Sequence, residues 1–150
     1  MEEELRQFKQ EYLQHRHNFT DGTQRVNIIS FASVVLPNTQ PATAANYGEF
    51  FIATSPCVVN AISCIYTTAG SSTPTLQVER LTGIQTPDTG ITLLQTAFNL
   101  AATANIVQIG KLVIIPTGLN VGDRLCLKDI GTLTAIAGLV VTVELLYATS

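Results

Sequence analysis

The sequence predicts an all-β fold, an antiparallel jelly-roll-like sandwich of about eight strands preceded by an N-terminal amphipathic α-helix. Three observations predict it. After Val26, short apolar runs bounded by turn-forming clusters recur about every 10–15 residues, with no helical interlude between them. Within several of those runs apolar and polar residues alternate with the two-residue period of a strand. Charge, finally, divides the chain. Of its 8 Lys and Arg and 11 Asp and Glu, nine fall in residues 1–25, which leaves ten for the remaining 125 residues. A domain that covers itself with Thr, Ser, Asn and Gln in place of charge hides surface against neighbours or sits permanently in an assembly.

Residues 2–19 carry the helical pattern. Leu5, Phe8, Tyr12, His15 and Phe19 recur at spacings of three and four, and Glu, Gln, Arg and Lys fill most other positions. Glu2, Glu3 and Glu4 complement the positive end of the helix dipole. A stripe of barely two heptads is marginal alone in water, so it needs its own domain, copies of itself or a partner to lean on. Asp21-Gly22 ends the segment with a turn signal. The expected organisation is therefore a helical leader, 1–22, and a β-sandwich domain, 23–150.

Candidate strands follow at 26–36, 47–54, 57–67, 74–82, 90–95, 105–116, 121–129 and 138–148, separated by clusters such as Pro37-Asn38-Thr39-Gln40-Pro41 and Thr86-Pro87-Asp88-Thr89-Gly90. The last is the clearest: Leu139, Val141, Val143, Leu145 and Tyr147 share one face, with Thr142 and Glu144 on the other. In 74–82, Leu76 and Val78 oppose Gln77 and Glu79; in 121–129, Leu125 and Leu127 oppose Arg124 and Lys128. Residues 97–105 are compatible with a short helical turn. Some second faces are too apolar for open water: Val140 and Leu146 oppose the core face of 138–148, and 105–116 is apolar on both sides. A strand apolar on both faces is covered on both. The expected second cover is another subunit, in a cyclic homo-oligomer and preferentially a trimer.

The same residues exclude much chemistry. A net charge of −3 with sparse Lys and Arg does not suit a phosphate backbone, so nucleic acid is not expected as a partner. The run from Leu133 to Ala148 contains Glu144 and is too short for a bilayer, and the acidic start lacks the basic flank of a signal peptide. No membrane partner is expected, and the chain reads as made in a host cytoplasm. His15 and His17, the only histidines, project to different sides of a helix and make a poor metal pair. The β-domain has no histidine for a Ser-His-Asp or Cys-His site, and its carboxylates form no recognisable pair. Cys57, Cys64 and Cys126 have no metal-ligand spacing and read as buried thiols. On one regular strand, the seven-residue offset sends Cys57 and Cys64 to opposite faces. No catalytic residue, metal or cofactor is expected.

The segment Val121-Gly122-Asp123-Arg124-Leu125-Cys126-Leu127 and the closing run Gly138-Leu139-Val140-Val141-Thr142-Val143-Glu144-Leu145, behind a charged leader, resemble the small virion proteins of tailed bacteriophages. These are the capsid decoration, or cement, proteins and the β-domains of head and tail fibres. The resemblance spans residues 26–150. It implies a non-enzymatic, virion-located subunit that decorates or stabilises a capsid, with itself and a major capsid or other virion protein as partners. The leader would contribute Leu5, Phe8, Tyr12, His15 and Phe19 as interface. The alternative it leaves open is a carbohydrate- or host-receptor-binding β-sandwich module of a phage fibre.

Overall fold

The computed structural model describes residues 27–36, 49–114, 117–131 and 133–148. The leader, its five interface residues and the boundary between 1–22 and 23–150 lie outside the described residues. So does most of a second unit, Met1–Ile28 with Ala148–Ser150; the sheets belong to the unit Ile29–Tyr147.

Ten strands, among the described residues, form two five-stranded antiparallel sheets. The first sheet runs in the order β1 (Asn27–Leu36), β10 (Leu139–Ala148), β3 (Cys57–Ile65), β7 (Gln108–Ile109), with β8 (Gly118–Leu119) also on β3. The second runs β2 (Glu49–Ile52), β9 (Arg124–Ile130), β4 (Thr75–Leu81), β5 (Ile91–Thr92), with β6 (Phe98–Asn99) also on β4. The chain thus passes repeatedly between sheets: β1 lies in the first, β2 in the second, β3 in the first, β4 to β6 in the second, β7 and β8 in the first, β9 in the second and β10 in the first.

Alternation in the sequence becomes the core. Leu139, Val141, Val143 and Leu145 of β10 are fully buried, as are Leu76 and Val78 of β4 and Leu125 and Leu127 of β9. They join Ile62 and Cys64 of β3 in a single apolar cluster. Each such side chain contributes about 1.5–3 kcal/mol through removal from water. Tyr66, also fully buried, keeps its hydroxyl satisfied by donating to the Asn99 and Ala102 carbonyls while accepting from Gln108 Nε2.

Three expectations need correction. Cys57 and Cys64 do not face opposite ways: both are buried and free. The ladder between β10 and β3 slips between Glu144 and Leu145, where Leu145 pairs with Val59 and Glu144 with Ala61. Asn60 is the extra residue of a β-bulge, and it reverses the parity of the strand so that Cys57, Val59, Ile62 and Cys64 all turn inward. The described part of 105–116, residues 105–114, is not one long strand covered on both sides. Only Gln108–Ile109 pairs in the first sheet. Gly110 then donates to Ile62 O, Leu112 bridges Leu94, and Val113 donates to Leu93 O, so the chain crosses toward the second sheet. A side chain at Gly110 would strike Leu94 Cδ2, which is why the crossing takes a glycine. Lastly, 97–105 holds no helix. Phe98–Asn99 is a strand on β4, followed by a turn in which the Asn99 carboxamide caps the Ala101 N–H.

Candidate functional site

The two outer faces of the sandwich differ in chemistry. On the second sheet, the polar face of β4 is not open to water: Gln77 and Glu79 are both buried. Residues 82–95 fold back over it. Gln77 Nε2 donates to Leu94 O (3.0 Å) and its Oε1 accepts the Leu94 N–H (3.3 Å). Glu79 accepts the Asp88 N–H at 3.0 Å, and Arg124 donates to the Gly83 and Gln85 carbonyls.

Three ion pairs lie along this sheet, two on the face of Gln77 and Glu79 and one, Arg80–Asp123, on the other, where Arg80 stands opposite Leu125. Lys128 Nζ stands 3.1 Å from Glu79, Arg124 lies 2.7 Å from Glu49, and Arg80 lies 2.8 Å from Asp123. Asp123 also accepts the Asn120 N–H at 2.7 Å, the turn-capping role its place after Gly122 suggests. These groups fasten a loop to a sheet. Their carboxylates are each committed to a cation or backbone donor, and among the described residues no three His, Cys, Asp or Glu side chains gather as a metal site.

The thiols are equally inert. Burial pushes Cys64 up to about 12 and Cys126 up to about 12, with the nearby charge of Glu79 adding to the latter. Burial also raises Cys57, opposed by a hydrogen bond from Tyr147. Thiols held protonated are poor nucleophiles.

The first sheet presents the opposite surface. Ser33 Oγ and Thr142 Oγ1 meet at 3.3 Å, which places the odd-numbered residues of β1 and the even-numbered residues of β10 on one outer face. On β1 that face shows Ile29, Val35 and Phe31, the last 63% exposed. Val140 and Leu146 continue it on β10, each half-buried and paired across to Ile65 and Val58 of β3. Ile109 of β7, 80% exposed, closes the far edge beside Ser63. On β1, β10 and β3 Glu144 is the one charged group of this face, and it accepts a hydrogen bond from Asn60. This wide, sparsely charged face has no cover among the described residues. Val140 and Leu146 were legible from the sequence; Ile29, Phe31 and Val35 were missed, although their alternate spacing within 26–36 was available as a signal.

No family model matches the chain, and no curated protein matches it. Among solved structures it is similar to a chain of the capsid of Ralstonia phage GP4. The TM-score is 0.56 at 19% identity, over 83% of this chain and 85% of that one. At that identity the shared property is the fold. The described residues are all-β, in two antiparallel sheets, as the sequence predicts for the segment after Val26.

Proposed function

We propose that this chain is a structural, non-enzymatic subunit of a phage virion, a homo-oligomer, preferentially a trimer, that decorates or stabilises the capsid. The observation that carries the reading is the fold likeness to a capsid chain across more than four-fifths of both molecules. The sparsely charged outer face of the first sheet supports it, since apolar surface of that extent marks an assembly site. The order β1-β10-β3 with β7 and β8 in one sheet, and β2-β9-β4 with β5 and β6 in the other, supports the finer, jelly-roll-like assignment.

The mechanism is linkage. A subunit that binds assembled shell and not free capsid protein stabilises the assembled state in proportion to its occupancy. The low charge of the β-domain reduces the desolvation cost of such contacts. Leu5, Phe8, Tyr12, His15 and Phe19 of the leader are proposed to supply the contact with the shell.

Co-sedimentation with shells of the encoding phage that lack this protein tests the reading. The full chain is expected to pellet with shells at saturable stoichiometry, and Phe8→Glu to pellet less, because a charge in an apolar contact is costly. A chain that stays in the supernatant yet binds a glycan array overturns the reading in favour of a receptor-binding module.

A further inference from the structure

We infer that the outer face of the first sheet is where a second copy of this chain docks, with the exposed Phe31 ring as its anchor. The inference deepens the assembling-subunit reading and rests on it. It starts from β1. This strand is ten residues long and is the outermost of its sheet among the described residues, with Ile29, Phe31 and Val35 outward and exposed. Natural sheet edges are commonly blunted by lysine or proline, and Asn27–Leu36 contains neither. An outermost strand that shows apolar side chains is one that pairs or is covered in the functional state.

Area agrees with a protein partner. The residues of β1, β10, β3 and β7, at about 3.3 Å each on strands about 4.8 Å apart, give a footprint of roughly 500 Å² before side-chain relief is added. That lies in the upper part of the range for apolar patches on monomers, and side-chain relief brings it toward the roughly 800 Å² per partner of a stable interface.

Charge then selects the partner. Apart from Glu144, held by Asn60, the residues of β1, β10 and β3 on this face carry no ionisable group. It has nothing with which to select an oppositely charged protein, and almost nothing to repel its own copy. The seam of Ser33, Thr142 and Ser63 between the apolar rows supplies hydroxyls, which donate and accept alike and so match a like surface. Self-association satisfies every one of these features.

The test uses the full chain. Light scattering from micromolar to hundred-micromolar concentration is expected to give a multiple of 16.1 kDa, and amide exchange of 27–36 is expected to slow as concentration rises. Phe31→Glu is expected to weaken association more than about tenfold, as removal of an anchoring aromatic contact does, with unchanged circular dichroism. Ile84→Glu, at a fully exposed turn on the other side, is expected to leave the mass unaltered. A monomer at all concentrations overturns the inference. If residues 27–36 of that monomer exchange slowly at every dilution, the chain covers its own face. If they exchange fast and Phe31→Glu abolishes pelleting with shells, the face belongs to the capsid protein, and the capsid reading survives without this one. An oligomer that Phe31→Glu leaves intact also overturns it.

Discussion

Lys128→Met tests whether the ion pair under the 82–95 segment holds the second sheet together. Glu79 is 0% exposed, and its carboxylate divides between two environments. One oxygen accepts the Asp88 N–H and faces Cys126 Sγ at 3.8 Å; the other has no hydrogen-bond partner and relies on the Lys128 ammonium 3.1 Å away. The two nearest arginines on the sheet are engaged elsewhere, Arg80 with Asp123 and Arg124 with Glu49. Methionine keeps the apolar stem of the lysine and removes only its charge. A buried carboxylate stripped of its partner costs about 3–5 kcal/mol. Because the Lys128 side chain is 28% exposed, water repays part of the loss and the low end, about 3 kcal/mol, is expected. For a chain of this size that lowers the melting temperature by about 10 °C. The double variant Glu79→Gln/Lys128→Met removes both charges and is expected to recover most of the loss. Thermal unfolding followed by circular dichroism measures the parent, the two single variants Lys128→Met and Glu79→Gln, and the double variant. A Lys128→Met protein melting within about 2 °C of the parent, or a double variant as unstable as the two single losses summed, refutes the argument.

The buried thiols make stability fall in alkali. Cys64 and Cys126 titrate near 12 when folded, against an ordinary value of 9.0. Their contribution is complete below about pH 9 and is lost between 9 and 12 as the unfolded thiols ionise, about 1.4 kcal/mol for each at pH 10. Melts at pH 7 and pH 10 are expected to differ less in Cys64→Ala/Cys126→Ala than in the parent, and an equal difference removes the thiols as the cause. Gly90→Ala places a Cβ 2.5 Å from the Arg80 carbonyl, so the backbone must shift at a cost of about 1–3 kcal/mol. Gly118→Ala meets nothing within 4 Å and is expected to be neutral or slightly stabilising by restricting the unfolded chain; denaturant midpoints that reverse the order of these two variants contradict the packing described.

Where one periodicity ran uninterrupted, the sequence was legible. Leu139 to Tyr147 alternate without a break, and β10 follows them residue for residue. Leu76 and Val78, and Leu125 and Leu127, enter the core as their spacing predicts. What escaped were departures from periodicity. The Asn60 bulge is one residue of slip, visible only through the pairing with β10. The exit of 105–114 from the first sheet depends on Leu94, Leu93 and Ile62, which are distant in sequence. The burial of Gln77 and Glu79 escaped because a polar residue on an alternating strand reads as solvated, whereas here a later loop supplies its partners. Of the interaction surface, the half on β10 was legible, since Val140 and Leu146 stand out against Thr142 and Glu144. The half on β1 was not, because nothing in a strand pattern says which strand forms the edge.

The low charge of the β-domain takes on a sharper meaning once its placement is known. Counted along the chain, ten charges in 125 residues suggest a molecule hidden on all sides. Placed in the fold, six of the ten form three ion pairs on the second sheet, and two of those pairs, Lys128–Glu79 and Arg124–Glu49, lie on its outer face. There, with Gln77 and the backbone of 82–95, they close that face with the chain's own residues. Charge is therefore spent on internal cover for one sheet, and the other is left with Glu144 alone on the outer face of β1, β10 and β3. A sandwich that supplies its own lid on one side has no need of a neighbour there. The demand for a partner falls on the side of Phe31 and Ile109, where burying an apolar surface desolvates almost no charge and each apolar side chain removed from water contributes about 25 cal/mol per Å². That asymmetry makes the first sheet, rather than the whole surface, the place where assembly acts.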